Sequence, residues 1–272
     1  MRATAVRRTA LAASAAALAL LATACSGSSD ADGKDGKDEK GAASGSSSAP
    51  KAPKAPAKAL TAAELEKATL AQGDVEGTRI TKTGPADEVA ADGVKVDKEA
   101  CLPVAHAMYG VAQKGAVATT KRKVIDEPKA GGKKSLEDVA KGEGADAFKD
   151  AFNLTSTSIA LHSYEGTAGP DAFAALKKAA ADCAGGFTAT VAGTPTKVVS
   201  MTEEKVTGGD EAVAWTVTTE DEGATAPVKL VALRKESSVA TFFAFNLAAA
   251  GGGDVKFELP TAVVAAQDKK LA

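Results

Sequence analysis

The sequence predicts an α+β domain: an antiparallel β-sheet with flanking helices, closed by one disulfide and preceded by a signal peptide and a disordered linker. Three observations predict it. From residue 187 to 247, alternating or wholly apolar runs are separated by short turns, the pattern of an antiparallel meander. Helical spacing of apolar residues is confined to segments before, between and after those runs, which groups helices against a sheet. Two cysteines, Cys101 and Cys183, remain after the N-terminal region is set aside.

The first segment, residues 1–24, has the layout of an export signal. Arg2, Arg7 and Arg8 precede an uncharged Ala/Leu run from Thr9 to Ala24. As a helix those residues reach about 24 Å, short of the ~30 Å hydrocarbon core, so a permanent membrane span is the weaker reading. Leu21-Ala22-Thr23-Ala24-Cys25 places small residues before a cysteine and resembles the lipobox of bacterial lipoproteins. In such proteins the cysteine sulfur carries diacylglycerol, and two acyl chains give stable anchoring. Cys25 is thus the expected lipidation site, and the chain is expected at the cell membrane, lipid-anchored on the extracytoplasmic face. Residues 25–59 read as the lipidated cysteine and a spacer. The run from Asp30 to Lys37 is charged and Gly-rich, and Ser44 to Ala57 holds only Ser, Gly, Ala, Pro and Lys, so neither can bury a core.

The domain is expected over residues 60–272. Thr61-Ala62-Ala63-Glu64 is a capping box opening a short helix that ends near Gly73. A turn then leads into an extended segment at Thr78 to Ile80, and residues 84–97 read as an acidic loop. Val104, Ala105 and Met108 predict a helix over 103–109, with Cys101 just ahead of it. Val117 to Ile125 reads as a strand and Asp126 to Gly144 as a hydrophilic Gly/Lys-rich surface loop. Asn153 to Tyr164 alternates as a strand. Pro170 suits the start of a helix, whose apolar stripe is Phe173, Leu176, Ala180, Cys183 and Ala184, ended by Gly185-Gly186. The meander follows: Phe187 to Val191, a turn at Gly193-Thr194-Pro195, residues 197–206, a turn at Gly208-Gly209-Asp210, then Val213, Trp215 and Val217 on one face. Val228 to Arg234 and Val239 to Leu247 are apolar on both sides, as central strands covered on two faces must be. Thr261 to Leu271 closes as a helix after Pro260.

Charge excludes one class of partner. Loss of residues 1–24 leaves 30 basic side chains of the 33, against 35 acidic, a net charge of −5. Nucleic acid demands a basic footprint, which this chain lacks. An even pair of cysteines in an oxidising compartment reads as a Cys101–Cys183 disulfide, the alternative being two buried free thiols. Two sulfurs with only His106 and His162 elsewhere make no closed zinc site, and no metal or cofactor is expected.

Several segments together resemble the extracellular sensor-like domain of the actinobacterial PknH-type receptor kinases, a domain also found alone on secreted lipoproteins. They are Leu60 to Ile80, Cys101-Leu102-Pro103, Leu161-His162-Ser163-Tyr164, Cys183-Ala184-Gly185-Gly186-Phe187, Gly209-Asp210-Glu211-Ala212 and Pro260 to Leu271. The resemblance implies an antiparallel sheet with flanking helices that form a cleft for an unknown ligand. This chain departs from it in carrying no kinase and one cysteine pair where the receptor domains usually have two.

Catalytic signatures are absent: there is no Gly-x-Ser-x-Gly, His-Glu-x-x-His or Walker loop, and the two histidines have no adjacent nucleophile motif. Both histidines therefore read as structural. Glu203-Glu204 and Asp221-Glu222 are neighbours on strands, so each pair splits between opposite faces. Trp215, Phe243 and Phe245 are the weak candidates for a ligand site, as walls of a cleft if one strand face lines one. The expected function is a non-catalytic ligand-binding or sensing module, the ligand being a small molecule, lipid or envelope protein. A scaffold module with a surface and no pocket is the alternative.

Overall fold

The computed structural model describes residues 58–127, 141, 153–221, 223–250 and 257–271, all within the compact unit Pro53–Ala272. The expected signal peptide, Cys25 and the spacer up to Ala57 lie outside them, as does the 126–144 stretch except for Asp126, Glu127 and Lys141.

Helix α1 (Ala62–Lys67) opens with the expected capping box. Thr61 accepts from the Glu64 amide, and Glu64 accepts from the Thr61 amide at 2.8 Å. It stops at Lys67, well before Gly73, because another element takes over its backbone. The buried Gln267 carboxamide donates to the Ala68 carbonyl at 2.7 Å and accepts from the Leu70 amide at 3.3 Å. Gln72 repeats the device at a sheet edge. It donates to the Thr78 carbonyl and accepts from the Ile80 amide, so a side chain fills the pairing positions of an edge strand.

The strands are β1 (Thr78–Lys82), β2 (Val94–Val96), β3 (Ala116–Asp126), β4 (Thr155–Tyr164), β5 (Phe187–Val191), β6 (Thr194–Glu204), β7 (Glu211–Asp221), β8 (Ala224–Lys235) and β9 (Ser238–Asn246). They form one nine-stranded sheet in the order β1-β3-β4-β9-β8-β7-β6-β5-β2. Every neighbouring pair is antiparallel, and β5 to β9 are the predicted meander. Strand β2 lies inside the stretch read as an acidic loop. It is too short for a period-2 signal and exists by pairing with β5. The turn before β6 is also displaced: Ala192 and Gly193, at φ of 49° and 84°, make the hairpin, and Thr194 and Pro195 already belong to β6.

Helices α2 (Leu102–Met108) and α3 (Ala168–Asp182) cover one sheet face; α1 and α5 (Thr261–Lys270) lie on the other. The short α4 (Leu247–Ala250) follows β9. Helix α3 starts two residues before Pro170 and buries Ala172, Phe173, Leu176, Ala179 and Ala180, each large apolar side chain contributing about 1.5–3 kcal/mol. Ala184 falls beyond the helix end and is exposed, in contrast to its place in the predicted stripe. The disulfide joins Cys101, ahead of α2, to Cys183, at the end of α3, with Cα atoms 5.8 Å apart. Both cysteines are buried, so the two covering helices are cross-linked inside the core.

Alternation sorts the core into two clusters. Tyr164, Val213, Trp215, Val217, Val228, Leu230, Ala232 and Val239 face α2 and α3. Ile159, Leu161, Ala214, Val231, Leu233, Ala240 and Phe242 face α1 and α5. The α2 side is concave. The Tyr109 hydroxyl donates to Thr196 of β6 at 3.1 Å, while a Cβ on the next residue, Gly110, would lie 3.1 Å from Ala160 Cβ on β4. Four strand spacings, about 19 Å in a flat sheet, separate those strands, so the sheet must curl around α2.

Candidate functional site

Register sets the candidate aromatics in adjacent rows on the concave face. Trp215 pairs with Leu230 and Leu230 with Phe243; one row along, Val217, Val228 and Phe245 line up. Trp215 is only 5 % exposed and is wedged in the core. Phe243 and Phe245 are partly buried, packed against that core with an edge left open. Phe242 belongs to the opposite cluster, as strand alternation requires. The three candidates are therefore brought together, but only the two phenylalanines offer surface.

On β4 both rows turn to serine, and on β3 the first ends on a lysine. Phe243 pairs with Ser158, and Ser158 with Lys123; Phe245 pairs with Ser156, and Ser156 with Ile125. Residues 83–93 leave β1 at one edge of the sheet and reach β2 at the other. On the way Glu88 pairs with Lys121 at 2.8 Å and Asp87 with Lys123 at 2.9 Å, and Val89 packs on the core of the concave face. The His106 ring on α2 hydrogen-bonds the Ala91 backbone, and burial holds its pKa below the ordinary value. This crossing segment was not recognised as part of the site. Its only sequence signal is the alternation Lys121-Arg122-Lys123, which puts two lysines on one face.

His162 is 1 % exposed on the concave face, with Nδ1 3.0 Å from the Thr119 hydroxyl. Burial, and then the charge of Lys121, push its pKa down to about 3. Held so, the buried ring stays neutral at neutral pH. On the opposite face the Glu66 carboxylate receives hydrogen bonds from Arg122, Lys82 and Thr120, which hold its pKa down to about 2. Arg122 is buried and also donates to the Leu70 carbonyl, so this cluster fastens α1 to β3.

Both groups act in one direction with pH. The unfolded chain takes up a proton at His162 near pH 6.5, and the folded chain refuses it until about pH 3. The stability it contributes is complete above pH 6.5 and falls as pH drops through that window, by at most about 1.4 kcal/mol per pH unit. Glu66 adds a loss between pH 4.5 and about 2. Urea midpoints are therefore expected to fall steadily from pH 7 to 4, and His162→Leu to flatten the branch above pH 4.5. A His162 ring resonance that titrates near pH 6.5 in the folded protein would contradict this.

Glu203 and Glu204 separate to opposite faces as expected. Glu203 is exposed. Burial raises the Glu204 carboxyl, but hydrogen bonds from Lys229 and Thr216 outweigh it and hold its pKa below the ordinary value. Lys229, itself buried, lies 5.9 Å from the Phe257 ring centroid. A shallow groove of about 490 Å³ opens beside this pair, lined by residues 203–207, Ala212 and Val213. Among the described residues no group of His, Cys, Asp or Glu is placed to hold a metal ion, and no helix is long and apolar enough to cross a membrane.

No family model matches the chain, and none of the curated proteins compared with it matches. Among solved structures, the extracellular domain of PknH from Mycobacterium tuberculosis is similar, with a TM-score of 0.46 and 12% identity. The match covers 79% of this chain and 96% of that one.

Proposed function

We propose that this chain is an extracytoplasmic lipoprotein, anchored through Cys25, whose domain captures a small apolar or amphipathic ligand on its concave face without catalysing a reaction. One observation carries the reading: Phe243 and Phe245 keep an open edge on a face otherwise filled by helices and bounded by charged residues. Partly buried aromatics beside a rigid, cross-linked wall are the usual lining of a small-molecule site. Trp215, the chain's one tryptophan, stands in the row of Phe243, two strands inward on β7, as wall and reporter.

The test is native mass spectrometry of the protein purified gently from its own producer. A small-molecule adduct is expected on the wild type. Phe243→Ala with Phe245→Ala should weaken it at least about tenfold, since central aromatic anchors are worth more than 1 kcal/mol. Rebinding should shift Trp215 fluorescence. A bare polypeptide mass from every gentle preparation would refute the reading. A docking module for another envelope protein has one feature in its favour: Thr188, Thr190, Thr202, Thr216 and Thr218 share the opposite, partly exposed face of β5–β7. Capture of a protein that Thr202→Lys abolishes would favour that second reading.

A further inference from the structure

Among the described residues six buried side-chain polar atoms lack a hydrogen-bond partner, and two of them, His162 Nε2 and Thr241 Oγ1, lie on paired strands of the concave face. His162 is 1 % exposed and Thr241 is 5 % exposed. They are neighbours, because Ala160 pairs with Thr241 and His162 with Val239, which makes them a diagonal pair on β4 and β9. Such side chains start about 7 Å apart, too far for a hydroxyl to reach a ring nitrogen unaided and close enough for one intervening molecule to touch both. The other two corners of this diagonal are Ala160 and Val239. Ala160 lies alongside, and Gly110 stands over it.

We propose that an internal water molecule occupies this place, bridging His162 Nε2 and Thr241 Oγ1 and tying β4 to β9 beneath α2. Polar atoms enclosed in a core are satisfied in nearly every protein, by the chain or by ordered water. Water fits better than an ion for a specific reason. The Thr119 hydroxyl on Nδ1 can donate or accept, so either tautomer of His162 is open to it, and only a ligand that both donates and accepts serves both. The nearest charge, Lys121, is already paired with Glu88 and leaves the place without a net charge to balance. Thr241 is two residues from Phe243 on the same strand face, so the water stiffens the floor beside the aromatic pair. It does not depend on that pair binding anything.

The test uses the whole exported protein with Thr241→Val, which keeps the shape and removes the hydroxyl, and Thr241→Ser, which keeps the hydroxyl. With the water present, Thr241→Val should lower the urea midpoint, because the water is lost and the imidazole is orphaned. Thr241→Ser should stay nearer the wild type in midpoint and retain a water cross-peak to the His162 ring. High-resolution electron density should show a water within hydrogen-bond distance of both atoms. A raised midpoint for Thr241→Val is the sign expected of a hydroxyl stranded in a dry core, and it would overturn the proposal. So would density that places the two side chains in direct contact.

Discussion

Replacing Cys101 and Cys183 together by alanine is expected to cost about 2–5 kcal/mol of folding stability, the range found when a native disulfide is removed. The bond closes a long loop, its ends separated by 82 in sequence. It also joins the two helices that cover the concave face, both of its cysteines being buried. For a domain of this size about 2–4 °C of Tm follows each kcal/mol, so a fall of roughly 10 °C is expected by calorimetry. Reductant alone should leave the folded protein oxidised and lower Tm only when it is present during unfolding. A double variant that melts with the wild type would mean that the helices are held by packing alone.

Gly186→Ala is expected to be nearly as damaging, at about 3 kcal/mol. Gly186 ends the turn between α3 and β5 at φ +93°, where a side chain is strained. A Cβ there would stand 2.4 Å from the Val198 carbonyl oxygen and 3.0 Å from that of Val199. Those are backbone atoms of β6, which cannot rotate aside, so the β5–β6 ladder must shift. The Lys98 ammonium also donates to the Gly186 carbonyl at 2.6 Å, a contact that would move with it. Gly193→Ala is the control: its φ is +84°, but nothing lies within 4 Å of its would-be Cβ. Its loss should be about 1 kcal/mol. Equal urea midpoints for the two variants would show that conformation, and not the approach of β6, governs the position.

Much of the fold was legible because its signals are local. The Thr61–Glu64 box, the Phe173 and Leu176 stripe, the alternation through Trp215 and the two-sided apolar runs of β8 and β9 each depend on a few adjacent residues. What misled was also local. Ala184 continues a helical period that the chain abandons at Asp182, and Gly193-Thr194-Pro195 has turn composition although Ala192 and Gly193 supply the positive φ angles. The candidate site was half legible. Aromatic residues at alternate positions of β9 must share a face, but whether that face is filled or open depends on what lies over it.

From its residues alone this chain determined an antiparallel meander with two-faced central strands, an apolar side to α3, and a place for Cys183 on it. Period and capping are properties of neighbouring residues, and they survive in any tertiary context that buries one face. Only the folded structure decided that residues 83–93 cross the concave face on Lys121 and Lys123. The same holds for the carboxamides of Gln72 and Gln267, which take the place of backbone partners, and for His162, which is kept neutral. Apart from Gln72, whose partners lie six and eight residues on, each of these depends on segments far apart in the chain. Its energy comes from solvent excluded and charges met across that gap, for which adjacent residues carry no pattern.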